Sequence, residues 1–182
     1  LGAAVKAAGT HPDLRLLFLA FQFYFRTDDL GEAEKVARRR IELSAVDSAQ
    51  AARAHGNLGL VLHSRNDLNG AEAEFQMAIA IDRRRGDEHG LARDLGNSAL
   101  VPESRGELDL AEARYREALA IAERIGAYDI QATKLANLGD IALQRGRRDE
   151  ARELYTRSLA AMDRLEEAKW RDEVEGKLGR LG

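Results

Sequence analysis

Residues 71–81 read AEAEFQMAIAI, and the stretch returns forty residues later as AEARYREALAI at residues 111–121. In both copies small and large apolar residues recur at spacings of three and four, which is typical of one face of an α-helix. A weaker copy begins at Ala151 with the same period. Such self-similarity indicates a helical-repeat architecture.

The 40-residue period organises almost the whole chain. It aligns two further sets of three residues: Asn57, Asn97 and Asn137, and Phe75, Tyr115 and Tyr155. Turn pairs such as Arg105-Gly106 divide each unit into two helices, and tight turns make neighbouring helices antiparallel. Because one hairpin cannot bury its apolar face alone, stacked units must share a core. The sequence therefore predicts an all-α fold, an α-solenoid.

The predicted domain is a single array over residues 1–182. Its units are expected at 14–51, 52–91, 92–131 and 132–171, the first with an offset of 38 instead of 40. Residues 1–13 are interpreted as the tail of a preceding repeat, and 172–182 as a capping or truncated helix. Because the chain begins at Leu1, we expect it to be a slice of a longer protein.

These residues resemble the tetratricopeptide repeat family. Leu58 and Gly59 in the first helix, and Ala71, Phe75 and Ala78 in the second, stand where that family has its signature. The long period is similar to the repeats of kinesin light chain and of the Leu-Gly-Asn repeat proteins. The resemblance implies a right-handed superhelix whose concave groove is lined by the first helix of each unit.

The resemblance places peptide-binding residues on these first helices. The candidates are Asn57, Asn97, Asn137, Arg53, Arg93, Leu60, Leu100, His63 and Asp140. An Asn amide both donates and accepts, so it can bind a peptide backbone while tolerating varied side chains. The alternative is that the Asn residues repeat by duplication and are solvated or bonded locally.

Charged residues of the same face predict a ligand preference. Arg53 and Arg93 align with Arg15 and favour an acidic peptide, because a guanidinium binds carboxylates in a bidentate manner. The alternative is an ordinary solvated face. Asp140 opposes this preference and would receive a basic ligand residue. Gly56, beside Asn57, would either admit a ligand backbone or allow close helix packing.

The first full helix is unusually aromatic. Phe18, Phe21 and Phe25 predict burial against upstream repeats, an aromatic anchor for a ligand, or a surface for self-association, which would give a homodimer. Arg38, Arg39 and Arg40 form a triplet that is expected to be solvated near a helix end. Pro102 lies inside a predicted helix and should kink or end it, because proline has no N–H to donate.

Composition excludes several classes of function. A formal net charge of −3 argues against a nucleic-acid partner, and the absence of cysteine excludes thiolate metal sites and cysteine nucleophiles. No apolar run is long enough to cross a membrane. Neither a phosphate-binding glycine loop nor a His-Glu-x-x-His motif is present, so we expect no cofactor, no metal and no enzyme activity. Cytoplasmic location is the default expectation.

The prediction is a non-catalytic protein-interaction module that binds an extended peptide in its groove. Two alternatives stay open. One is a self-associating structural scaffold, and the other is a regulatory or sensor arm of a larger signalling or transcription-regulating protein.

Overall fold

A computed structural model describes residues 13–165 and 171–181, and β-strands are absent from these ranges. Helices occupy most of them, in the order α1 (Leu14–Arg26), α2 (Leu30–Leu43), α3 (Ala49–Ser64), α4 (Leu68–Arg85), α5 (Glu88–Ser98), α6 (Leu100–Ser104), α7 (Leu108–Ile125), α8 (Tyr128–Gln144), α9 (Arg148–Met162) and α10 (Arg171–Gly179). The predicted all-α, helical-repeat fold is confirmed.

Side-chain caps explain where several helices begin. Asp29, Ser48, Asp67 and Asp87 each accept a hydrogen bond from the backbone N–H three residues later, at 2.9–3.1 Å. An acceptor at this position satisfies an N–H group that has no partner within the helix. With these caps α3 and α5 begin at residues 49 and 88, three and four residues before the unit boundaries expected from the repeat. Helix α8 begins at residue 128, four residues before its expected boundary, without a side-chain cap.

Close packing of paired helices depends on glycine facing an aromatic ring. A Cβ atom built on Gly59 of α3 would lie 2.6 Å from the ring of Phe75 in α4. A Cβ atom on Gly139 of α8 would lie 2.5 Å from the ring of Tyr155 in α9. Both rings are completely buried. The repeated glycine is therefore a packing residue, because any side chain there would displace a core aromatic.

Contacts divide the chain into two compact units, Leu1–Val101 and Pro102–Gly182. Within the first, Leu17, Phe21, Leu58 and Phe75 belong to one buried cluster. Within the second, buried residues of α7, α8 and α9 include Tyr115, Leu138, Ile141 and Tyr155. Each unit thus has apolar side chains from several helices in its interior.

Pro102 has the effect predicted from the sequence. The helix that begins at Glu88 ends at Ser98, and α6 begins at Leu100 after a turn at Ala99. Pro102 lacks the N–H that would bond the Ser98 carbonyl. At the end of α5 the Ser98 hydroxyl donates a hydrogen bond to the Leu95 carbonyl at 2.8 Å.

The segment expected to be a cap or a truncated helix is helical as α10, and Val174 and Leu181 are buried there. The interpretation of residues 1–13 as the tail of a preceding repeat concerns residues that lie outside the described ranges, except for Asp13.

Candidate functional site

The three repeated asparagines occupy equivalent places on the first helices. Asn57 in α3, Asn97 in α5 and Asn137 in α8 are each half-buried, whereas most residues around them are buried. On α3 the accessible residues Arg53, Asn57 and Leu60 follow one another at spacings of four and three. This spacing places them on one face of the helix. We name the corresponding accessible faces of α3, α5 and α8 the first-helix stripes.

The stripe on α3 has unused hydrogen-bonding capacity. The side-chain nitrogen of Asn57 is buried and has no hydrogen-bond partner. Arg53 is exposed, and Leu60 and His63 are half-buried on the same helix. Gly56 is already in use, because a Cβ atom there would lie 2.8 Å from a carboxylate oxygen of Asp94. Its small size therefore serves packing between α3 and α5.

The stripe on α5 is more constrained. Arg93 donates from Nε and Nη2 to the two carboxylate oxygens of Asp94, at 2.9 and 2.8 Å. Its Nη2 also lies 3.9 Å from Oδ2 of Asp82 on α4. The guanidinium is thus held by carboxylates of its own unit, which lowers its capacity for a ligand anion. Asn97 and Leu100, four and seven residues after Arg93, are half-buried. Asn97 also has an interaction partner within the protein.

Asp82 and Asp94 form a buried carboxyl pair. Their side chains are 1% and 0% exposed, and Oδ2 of Asp82 has no hydrogen-bond partner. Burial first, and then the charge and hydrogen bond of Asp94, raise the pKa of Asp82 to about 7 against the opposing effect of Arg93. Gly90 makes room for this pair, because a Cβ atom there would lie 2.5 Å from Oδ2 of Asp82.

The stripe on α8 contacts two tyrosines. The Tyr115 hydroxyl donates to Oε2 of Glu103 at 2.7 Å and is also hydrogen-bonded to Asn137. Burial, followed by the Glu103 charge, raises the pKa of Tyr115 well above its ordinary value, so the phenol stays protonated. Asn137 therefore has an internal hydrogen bond in addition to any that it offers a ligand.

Asp140 is also engaged within its unit. It accepts hydrogen bonds from the Tyr155 hydroxyl at 2.7 Å and from Nζ of Lys177 in α10 at 2.8 Å. The predicted anionic contact for a basic ligand residue is therefore already paired with a lysine. Sequence reasoning missed this pairing, because the partner comes from a different helix.

The aromatic residues of α1 differ in their accessibility. Phe21 is 4% exposed and stacks on Phe25, with ring centroids 5.6 Å apart. Phe18 lies beneath the guanidinium of Arg40. The large apolar side chains that α1 exposes are instead Leu19 and Phe23, at 57% and 47%. Phe21 is thus buried within the first unit, in one cluster with Val36 and Leu58.

The arginine triplet corrects one expectation. Arg38 and Arg39 are exposed and form ion pairs with Glu34 and Glu42, as expected for solvated residues. Arg40 is only 3% exposed, so its interpretation as a solvated residue is wrong. The repeat register contained the signal, because the offset of 38 aligns Arg40 with the buried Ala78.

The described ranges contain no cluster of three or more His, Cys, Asp or Glu side chains arranged to hold a metal ion. None of the helices in these ranges is both long and apolar enough to cross a membrane.

The fold and these stripes define a helical-repeat protein. Residues 91–164 match the family model of the tetratricopeptide repeat. The resemblance to that family is confirmed for this part of the chain, which is less than half of its length. This family is generally a non-catalytic interaction fold. A comparison with curated proteins finds no match.

Three solved structures show how widely the fold is shared. Aspartyl phosphate phosphatase F from Bacillus subtilis superposes with a TM-score of 0.78 at 16% identity, covering 89% of this chain and 43% of that one. BtubC from P. vanneervenii superposes with a TM-score of 0.74 at 20% identity, covering 92% of this chain and 71% of BtubC. The third structure is a putative kinesin light chain of Podosopora anserina with nearly identical TPR-like repeats. It superposes with a TM-score of 0.68 at 13% identity, covering 92% of this chain and 84% of that one. The chain thus spans less than half of the phosphatase.

Proposed function

We propose that this protein binds an extended peptide segment of a partner protein along its first-helix stripes. The observation that carries the proposal is the partial exposure of Asn57, Asn97 and Asn137 on helices whose other residues are mostly buried. An amide in this position presents a donor and an acceptor to a passing backbone. The family match supports an interaction role of this kind.

The three stripes are not equivalent in the proposal. Asn57 contributes most, because its unpartnered nitrogen gains a hydrogen bond when the side chain turns toward a ligand carbonyl. Leu60 and Leu100 supply apolar contact, and Arg53 supplies an accessible cation. Arg93, Asn137 and Asp140 contribute less, since each already has partners within its unit.

A peptide-display selection on the purified protein tests this proposal. It is run beside the triple variant Asn57→Ala, Asn97→Ala and Asn137→Ala, with helix content checked by circular dichroism. We expect peptides to be enriched by the wild type and lost on the folded triple variant. Gln76→Ala is the matched control, because it removes an exposed amide from the second helix α4. Equal enrichment on the wild type and the triple variant would rule out the asparagine mechanism.

Self-association is the second candidate function. Leu19 and Phe23 are exposed on α1 and line a cleft of about 480 Å³. A second copy of the protein could bury this apolar surface. Sedimentation equilibrium of the wild type and of Phe23→Ser tests it. A dimer that is lost in the variant supports a scaffold, and a monomer at all concentrations rejects it.

A further inference from the structure

A cleft in the first unit lies between α1, the end of α2 and the start of α3, with a volume of about 580 Å³. Its apolar wall is formed by Leu14, Phe18 and Leu19 of α1. Its cationic lining consists of one residue from each helix: Arg15, Arg40 and Arg53. None of the described residues that line it is acidic. Three arginines therefore line one cleft whose described lining has no carboxylate.

Arg40 is the unusual member of this group. It is 97% buried, and its Nε and Nη1 atoms have no hydrogen-bond partner. The guanidinium lies 5.1 Å from the ring centroid of Phe18, so it has cation–π contact on one side. A cation–π contact replaces only part of the hydration that a buried charge loses. Arg93, by comparison, has two hydrogen bonds to Asp94.

Burial and the neighbouring Arg53 charge both lower the pKa of Arg40. The side chain nevertheless remains cationic at neutral pH, as arginine does in proteins. An unpaired cation in a cleft that opens to solvent is therefore relieved most directly by a bound anion.

Among the described residues, the carboxylates that lie closest in sequence to the cleft lining are already engaged. Asp13 caps α1 by accepting a hydrogen bond from the Arg15 backbone at 2.8 Å. On α2, Glu34 pairs with Arg38, and Glu42 pairs with Arg39. Residues 1–12 contain neither Asp nor Glu. A bound ligand is thus the natural source of the anion.

We propose that Arg15, Arg40 and Arg53 bind a phosphate group carried on a side chain of a peptide ligand. The inference rests on the proposed function, because Arg53 lies one helical turn before Asn57 on the same stripe. A peptide that contacts the stripe on α3 can therefore place a neighbouring side chain in the cleft.

The count of charges favours phosphate over carboxylate. Three guanidinium groups retain two positive charges beside a carboxylate, and only about one beside a phosphomonoester of charge near −2. A phosphate also has three acceptor oxygens for the N–H groups of several arginines. The apolar wall formed by Leu14, Phe18 and Leu19 suits the carbon atoms of the phosphorylated side chain.

The first experiment uses inorganic phosphate as the probe. The thermal unfolding midpoint is measured with and without phosphate, at constant ionic strength, for the wild type, Arg40→Met, Arg53→Gln and Arg39→Met. A ligand that binds only the folded state raises the midpoint. We expect a phosphate-dependent rise in the wild type and in the control Arg39→Met, and none in Arg40→Met or Arg53→Gln.

Arg40→Met has a second expected signature. Without phosphate its midpoint should be higher than that of the wild type, because methionine fills the space without an unpaired charge. Phosphate responses that are equal in Arg40→Met, Arg53→Gln and wild type would overturn the proposal.

The second experiment identifies the source and class of the anion. Three peptide libraries, random except for one central residue, carry Ser, phosphoserine or Glu at that position. We expect the phosphoserine library to bind at least tenfold more tightly than the Ser library, and Arg40→Met to lose that difference. Equal binding of the Glu and phosphoserine libraries would overturn the preference for phosphate.

A lipid source is tested with phosphatidylcholine vesicles that contain a phosphoinositide. Arg40-dependent binding to these vesicles, without binding to the phosphoserine library, would overturn the peptide source. The two proposals fail separately. Peptides that depend on the three asparagines but not on Arg40 would retain the proposed function and reject the phosphate site.

Discussion

Gly59 and Gly139 show how single atoms control the packing of this protein. Each glycine leaves space that a buried aromatic ring of the paired helix fills. Phe75 and Tyr155 cannot retreat from an added methyl group, because they are completely enclosed. The effect of a substitution at these positions therefore follows from sterics.

Gly59→Ala should lower the free energy of unfolding by about 1–3 kcal/mol, since overpacking outweighs the gain in helix propensity. Urea denaturation followed by circular dichroism measures the change. Gly179→Ala is the matched control, because no atom lies within 4 Å of its added Cβ. A Gly59→Ala protein as stable as the wild type would show that Phe75 can move.

The carboxyl pair on α4 and α5 makes stability depend on pH. The pKa of Asp82 is raised from 3.8 to about 7, chiefly by burial. Between these values the folded protein keeps a proton that the unfolded chain has released, so the free energy of unfolding falls as the pH rises. The contribution is complete below pH 4 and is lost as the pH passes through about 7.

Asp82→Asn should remove this dependence, because an amide stays neutral at every pH. At pH 8 we expect the variant to be more stable than the wild type by about 1–3 kcal/mol, and at pH 4 nearly equal to it. Urea titrations at pH 4, 6 and 8 give the difference, with the fully exposed Asp149→Asn as control. A difference that is the same at all three pH values would contradict the assignment.

Helix α7 is tied to the region between α8 and α9 by charged side chains. Glu112 is 6% exposed and pairs with Arg145 at 2.9 Å and with Arg147 at 3.1 Å, while Arg116 also contacts it. A buried carboxylate surrounded by cations is retained in the interior only while these partners remain. This network orients the second helix of one pair against the turn of the next.

Glu112→Gln should cost about 1–3 kcal/mol of stability, because the guanidinium groups lose their counter-charge but are accessible enough to regain water. The control is Glu123→Gln on the same helix. Its ion pair with Arg157 is 47% exposed on both sides, so we expect a loss below about 1 kcal/mol. Equal losses in thermal or urea unfolding would mean that burial of Glu112 does not matter.

The whole molecule consists of two compact units, each with its own buried residues. In repeat proteins the stability is approximately the sum of the stabilities of the repeats and of the interfaces between neighbours. A substitution in one unit should therefore destabilise that unit most. Tyr155 is a suitable probe, because it is completely buried in the second unit.

Two variants of Tyr155 are compared. Tyr155→Phe is the mild one, because it removes only the hydroxyl that is bonded to Asp140, and Tyr155→Ala is the severe one. The alanine substitution should lower the free energy of unfolding by about 3–5 kcal/mol. Hydrogen exchange should then accelerate more in α8 and α9 than in α3 and α4. Uniform acceleration throughout the chain would instead indicate a single cooperative unit.

The repeat period, the helices and the interruption at Pro102 were predictable from the sequence. The physical reason is that each depends on local or periodic information: spacing of apolar residues, capping side chains, or a missing N–H. The positions of the three asparagines on one face of their helices follow in the same way.

Tertiary structure decided the environment of the charged residues. Arg40 and Arg93 are both helix arginines in the sequence, yet one is buried without a partner and the other is held by Asp94. Asp140 is paired with Lys177 from a helix more than thirty residues away. Such differences depend on which side chains from separate helices meet, because the cost of burying a charge is set by its neighbours and not by its own residue type.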